Sequence, residues 1–401
     1  MKRIGLVLIA VGLVLAAAAS ASAGGFAVSE QSASAGGIAS AATARADDAS
    51  AAWYNPAALA DAGGWRIGFG ILAAHPNLTA EAMDGSWQSS NESTWATPPH
   101  INASFADGDF AAGVAAGVPY GSGVTWPADW PGRFEIVRTK LEVLRASPFV
   151  AWRFGNWRVA GGLHVDRARM RVGRQLDFID VEGDVAIDMD GTGWGVDAAV
   201  FYRASDRVDV GLSYKSRTGI DLSGGADFES PDAFSMKTAD QNASARITIP
   251  DRIALGGRWQ ARDDLGVLAD LEMTLWGVYD ELVIDFANDA TPDARQVNNW
   301  KTTVAVRTGA EWKFRPGWVG RAGVFFDPSP AQDDTLAPSS PDSSRTGVTL
   351  GASRALGDAW TVDVFAEHMQ LLGRESRNEN ALEARYGGHA QLFGFGIRYQ
   401  Q

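Results

Sequence analysis

The chain has 401 residues, 48 acidic against 35 basic side chains, a formal charge of −13 and no cysteine. The acidic balance argues against nucleic acid as a partner, and the missing thiol excludes lipoprotein acylation, disulfides, thiolate metal sites and a cysteine nucleophile. The length suits a large closed β-barrel better than one soluble domain, as do 15 Trp and 45 Gly, which fit aromatic belts and closely approaching strands.

Residues 1–23 read as a cleavable export signal. Lys2-Arg3 give a positive start, Ile4 to Ala19 run without a charge, and Ala21-Ser22-Ala23 form an A-x-A cleavage site. Beyond it no stretch of 18 apolar residues suggests a helical membrane span. Residues 24–64 are rich in small residues and almost free of large aliphatics. Such a segment cannot build its own core, and beside a barrel its place is inside, as a plug or hatch.

Residues 65–401 alternate with a period of two. Trp157, Val159, Gly161, Leu163 and Val165 share one face, and Arg158, Ala160, Gly162, His164 and Asp166 the other. Fourteen strands are predicted, starting near residues 66, 98, 109, 136, 156, 187, 207, 244, 264, 299, 318, 345, 359 and 389. Tight turns such as Gly155–Asn156 and Gly357–Asp358 alternate with long connections at about 75–97, 119–135, 174–186, 223–243, 287–298, 328–344 and 373–388. That is the layout of an outer-membrane barrel, short on the periplasmic side, and it puts both termini in the periplasm. Trp65, Trp152, Trp157, Trp259, Trp312, Trp318 and Trp360 lie near the tight turns, most pointing outward, as expected of an interfacial belt. The fold class predicted is therefore all-β, a 14-stranded antiparallel transmembrane barrel with an N-terminal plug.

Several motifs, in this order, carry a resemblance to the FadL-type family of outer-membrane transporters for long-chain fatty acids and aromatic hydrocarbons. They are Gly25-Phe26 with Glu30-Gln31-Ser32, Ala46-Asp47-Asp48-Ala49-Ser50, Asn55-Pro56-Ala57-Ala58-Leu59, Pro119-Tyr120-Gly121, Trp126 and Trp130 before Gly132-Arg133, Gly211-Leu212-Ser213-Tyr214, Ile249-Pro250-Asp251, Asn299-Trp300-Lys301 and Asp327-Pro328-Ser329-Pro330. The resemblance implies passive uptake by capture at the outer loops, passage to an internal apolar pocket, and lateral exit at a kinked third strand. It places that kink within 109–119, at Gly113 and Gly117 ahead of Pro119, and sets Asn55, Pro56 and Ala57 beside it as the gate. It also offers Arg171, with its neighbours Arg169 and Arg174, and Lys301 as cations for a substrate carboxylate.

Trp126 and Trp130, four residues apart beside prolines, suit either an exposed apolar capture groove or an upper aromatic belt. Magnitudes rank the contributions to binding. A chain of ~14 buried CH₂ groups offers roughly 11 kcal/mol before ordering costs, against roughly 1.5–3 kcal/mol for a charge-assisted hydrogen bond. Apolar burial supplies affinity, and a cation orients the acid.

No enzyme, cofactor or metal is expected. The five histidines are scattered and no G-x-S-x-G elbow is present. The alternatives are a lipid-modifying outer-membrane hydrolase and a porin for polar solutes. The partners expected are a hydrophobic small molecule, outer-membrane lipid and lipopolysaccharide, and the barrel-assembly machinery during biogenesis, with the chain acting as a monomer.

Overall fold

Period-two alternation requires one face of each strand to meet a different environment from the other, and the folded chain separates them. The computed structural model describes residues 24–178 and 181–401; the predicted signal, 1–23, lies outside the described residues. Strands in chain order are β1 (Gly64–Ala82), β2 (Gln88–Ser90), β3 (Pro99–Asp107), β4 (Phe110–Thr125), β5 (Arg138–Phe154), β6 (Trp157–Asp177), β7 (Glu182–Ser205), β8 (Val208–Lys215), β9 (Thr218–Glu229) and β10 (Gln241–Ile249). They continue with β11 (Arg252–Arg262), β12 (Leu265–Thr274), β13 (Glu281–Phe286), β14 (Ala294–Val297), β15 (Thr303–Arg315), β16 (Trp318–Asp327), β17 (Arg345–Leu356), β18 (Trp360–Glu375) and β19 (Ala384–Gln400).

All named pairings are antiparallel, and β1 pairs with β19 from Arg66↔Gln400 to Ala82↔Ala384, which closes the cylinder. β2 is an added flap on β1. Four staves consist of two segments each (β8/β9, β10/β11, β12/β13 and β14/β15), so the wall has fourteen staves. Full closure leaves no edge strand to pair elsewhere. At the tight ends Gly108 and Gly155 take φ of +60° and +58°, a left-handed turn that a side chain would strain.

Outward positions carry exposed apolar side chains, among them Phe69 at 52%, Leu163 at 54% and Leu350 at 67%. A water-facing surface of this kind would be unstable, whereas a bilayer accepts it. Trp65, Trp152, Trp157, Trp259, Trp312 and Trp360 are exposed at the tight-turn end, as their positions predicted. Some strands outrun the predicted boundaries. The connection expected over 174–186 is mostly strand, because β6 and β7 stay paired from Leu176↔Gly183 downwards, with outer ion pairs such as Arg169–Asp188 supporting the extension.

Residues 24–63 form short elements: α1 (Ala33–Gly36), α2 (Ala51–Tyr54) and a 3₁₀ turn over Pro56–Asp61. Most of their side chains are buried, and their partners are strands far away in sequence. Thr349 Oγ1 donates to Gly37 O at 3.1 Å, and Thr43 N donates to Asp270 Oδ2 at 2.8 Å. Arg45 bridges Asp47 and Asp48, both at 2.8 Å, to Glu311 of β15 at 2.9 Å. Asp48 also meets Arg398 of β19 at 3.2 Å, and Arg398 reaches Asp363 of β18 at 2.5 Å. Asp48 combines local bonding, accepting from Ser50 N at 2.7 Å, with the contact to Arg398 that ties the segment to the wall.

Candidate functional site

Three neighbouring features build the site. The first is an aromatic cage. Staves seven to ten are all interrupted at similar positions, 216–217, 250–251, 275–280 and 298–302, where their two segments meet. Asp251 organises the break: Tyr214 Oη donates to its carboxylate at 2.7 Å, Arg217 Nε at 2.8 Å and Arg217 N at 3.1 Å. The interruptions free Trp276 and Trp300 from outward alternation, and both are buried. Together with Tyr120 and Tyr279 they surround Phe26, whose ring centroid lies 4.7 Å from Trp276, 5.5 Å from Trp300, 5.5 Å from Tyr279 and 5.9 Å from Tyr120. Edge-on packing dominates, the arrangement that ring quadrupoles favour.

The second feature is a cavity of about 820 Å³ among the long connections. Its wall includes Val172, Ile187, Phe228 and Ile284, with the cations Arg174 and Lys237. Ile187 and Ile284 belong to the same apolar cluster as Phe26, Trp126, Trp130, Trp276 and Trp300, so the cavity and the cage share one apolar lining.

The third is a fault in the third stave. β4 pairs with β3 only as far as Ile101↔Ala116, and its register with β5 slips between Gly117↔Arg145 and Tyr120↔Val143. Pro119 lies in the slip, where a missing N–H costs no ladder bond. Beyond Ala116 the free side of β4 is taken by the N-terminal segment. Val28 N donates to Pro119 O at 2.8 Å, Gly121 N to Phe26 O at 2.9 Å, and Gln31 Nε2 to Val118 O at 2.7 Å.

The sequence candidates fare unequally in position. Trp126 and Trp130 are buried and stacked at 4.8 Å; their indole N–H groups donate to Pro338 O and Ile136 O, so no exposed groove forms there. Arg171 lies on the outer face of β6 and shares Asp188 with Arg169, pointing away from the interior; the neighbour that lines the cavity is Arg174, because even-numbered positions of β6 face in. Lys301 is exposed in the break between β14 and β15, while Trp300 beside it turns inward.

Gly113 lies in continuous ladder on both sides, opposite Ser104 and Phe149, so the kink starts at Gly117. Asn55 caps the 3₁₀ turn, its amide donating to Thr43 O and Val200 O, both at 3.0 Å. Ala57 packs in a cluster with Ala111 and Ala115 of β4, while Pro56 is buried beside it. Asn55-Pro56-Ala57 thus meets the regular part of β4 and the β7 wall, and Gln31 and Val28 meet the fault. Sequence reasoning named Phe26 and Trp300 in motifs but gave them no role, and did not name Trp276; Ile249-Pro250-Asp251, which cannot continue a ladder at the proline, was the available signal.

The model of the family described as outer membrane protein transport protein (OMPP1/FadL/TodX) matches residues 14–400. The chain belongs to this family. Among its relatives, a Neisseria meningitidis serogroup B protein named for its outer membrane location is 24% identical over 96% of both chains. The long-chain fatty acid transport protein of Escherichia coli K12 is 23% identical over 52% of this chain and 48% of its own. A Pseudomonas aeruginosa FadL homologue has the same fold, with a TM-score of 0.85, 20% identity, and coverage of 94% of this chain and 100% of that one. The Pseudomonas putida toluene transporter TodX superposes with a TM-score of 0.72 at 16% identity, over 88% and 93% of the two chains. Family membership and the closed barrel make this an outer-membrane transport protein.

Proposed function

We propose that this protein admits long-chain fatty acids or comparable hydrophobic molecules passively across the outer membrane, by capture in the loop-end cavity, transfer to the aromatic cage, and lateral exit at the β4 fault. Residues 24–63 act as the plug, with Phe26 standing in the cage where a substrate would lie. The observation that carries this reading is that one short stretch, Phe26 to Val28, both fills the cage and covers the fault. Withdrawing it empties an apolar pocket and uncovers a wall opening in one step. A lateral route keeps the cargo in apolar surroundings, whereas an axial one would expose it to water and forfeit the burial that drew it in. Arg174, Lys237 and Arg295 offer the cavity cations that an acid headgroup could meet, beside its carboxylates Glu135, Asp177, Asp293 and Asp334. The chain works as a monomer held by lipid and lipopolysaccharide after insertion by the assembly machinery, with both termini periplasmic.

Because the chain has no cysteine, an engineered pair is the sole possible disulfide. Ala27→Cys with Tyr120→Cys joins two residues that already pair across strands. Oxidised protein is expected to stop uptake of a radiolabelled long-chain fatty acid by whole cells, and reductant to restore it. Uptake indifferent to oxidation would rule out movement of this segment as the gate.

A further inference from the structure

Gly24 is buried against Asp327 and Arg345. A Cβ built on it would run into Asp327 Oδ2 and the Arg345 guanidinium, so this position accepts no side chain without displacing them. Gly24 also follows directly on Ala21-Ser22-Ala23, the A-x-A sequence that a signal peptidase cleaves. From this juxtaposition we propose that processing between Ala23 and Gly24 creates a structural ion: the new α-ammonium of Gly24 pairs with Asp327 inside the barrel and fixes Phe26 in its cage.

Charge in this pocket supports the pairing. Asp327 Oδ2 accepts from Arg345 Nη2 at 3.0 Å and lies 3.4 Å from Arg307 Nη2. The carboxylates of Asp342 and Glu30 also act on Arg345, and those of Glu30 and Asp327 on Glu367. Arg307 and Arg345 thus face Asp327, Asp342, Glu30 and Glu367, with Arg374 also acting on Asp342 and Arg252 on Asp327. Both oxygens of Glu367 are buried with no hydrogen-bond partner. Ionised carboxylates gathered in a buried site are costly unless some hold a proton or a further cation enters. Hydrolysis of the Ala23–Gly24 peptide bond supplies one: water adds across the bond, leaving a carboxylate on the released signal and an amine, protonated at neutral pH, on Gly24. The amine is one ~1.46 Å bond from a Cα whose Cβ position would meet Asp327.

The geometry also couples processing to the gate. Arg345 Nη2 donates to Ala27 O at 3.1 Å, and Arg307 Nη2 to Ser29 Oγ at 2.9 Å, so the same two cations that hold Asp327 hold the chain on either side of Val28. Gly25, at φ +56°, packs between Trp276 and Trp300, where a side chain would collide with both rings. Gly24 supplies charge, Gly25 the turn and Phe26 the ring.

The test uses the mature protein purified from outer membranes. Intact mass is expected to show Gly24 as its first residue; a different N-terminus would overturn the proposal. The pH profile of α-amine acetylation by a small water-soluble reagent is then compared between folded and denatured wild type. An opposite charge at this range raises an amine's pKa by ~1–3 units; with the Asp327 pairing outweighing burial and the neighbouring Arg345 guanidinium, the folded profile is expected to shift upward and labelling near pH 8 to slow by about tenfold beyond any pH-independent shielding. Coincident midpoints in folded and denatured protein overturn the ion pair without any variant. Asp327→Asn is expected to return the midpoint toward the ordinary value near 8, and a midpoint that stays raised in the folded variant would remove Asp327 as the partner.

Discussion

Arg45 of the N-terminal segment and Glu311 of β15 form a buried ion pair at 2.9 Å, joining residues at opposite ends of the chain. The same guanidinium holds Asp47 and Asp48, and Arg321 of β16 contacts Glu311 at 2.7 Å, so the segment is bonded to the wall through a shared set of charges.

Arg45→Ala takes one cation from the buried Asp48 and Glu311, which keep Arg398 and Arg321, and from the exposed Asp47; breaking a buried pair of this kind costs ~3–5 kcal/mol. The barrel ladder does not depend on Arg45, so folded barrel should persist with the N-terminal segment loosened. Single-channel recording in planar bilayers is expected to show openings that the wild type lacks, and deletion of residues 24–52 a larger steady conductance. Wild-type conductance in both would mean that the segment does not close the lumen.

Gly117 and Gly113 should part company. A Cβ on Gly117 meets the tip of Gln31, a side chain able to move, whereas one on Gly113 meets the Ala103 carbonyl and the Phe149 ring within intact ladder. Gly117→Val is expected to assemble, yet to cut fatty-acid uptake by about tenfold, in line with an overpacking cost of ~1–3 kcal/mol. Gly113→Val is expected to lower the amount of heat-modifiable barrel instead. Normal uptake through the Gly117 variant would move the exit elsewhere.

Arg174 is the cation of its strand that reaches the cavity. Arg174→Ala should weaken binding of a long-chain acid by ~1.5–3 kcal/mol while barely affecting the matching alkane; calorimetry in detergent measures both. Arg171→Ala and Lys301→Ala, outside the cavity lining, are expected to change either affinity by less than ~0.5 kcal/mol. Equal losses for acid and alkane in the Arg174 variant would make that residue structural.

Asp342 lies in the connection between β16 and β17, and burial pushes its carboxyl up from 3.8 to about 6, against the opposing effects of the Ser329 hydroxyl and Arg345. The folded chain therefore keeps a proton that the unfolded chain releases between these values. Stability is greatest below about pH 4 on this account and falls as pH rises to about 6. The group retains some contact with water, so the loss should be on the order of 1 kcal/mol. Asp342→Asn is expected to flatten the dependence of loop proteolysis on pH across that window, and an unaltered slope would assign it to another group.

Alternation, turn chemistry and tryptophan spacing made the wall legible in the sequence, because each depends on neighbours along one strand. The predicted starts near residues 109, 156, 264, 318, 345 and 359 fall within one residue of β4, β6, β12, β16, β17 and β18. Arg174, Phe26, Trp276 and Trp300 were decided by the tertiary structure. Which of Arg169, Arg171 and Arg174 faces inward depends on strand phase, and a shift of one residue reverses the answer. The aromatic cage needs four staves to break at one level and a distant N-terminal ring to enter the break, a coincidence that no local window encodes. The kink at Gly117 likewise reflects where β3 stops, a property of its neighbour. Sequence thus determined the barrel and its membrane setting, through periodicities that solvent imposes strand by strand. The tertiary structure decided which residues line the path, because closure of the cylinder brings together side chains whose phases the sequence leaves independent.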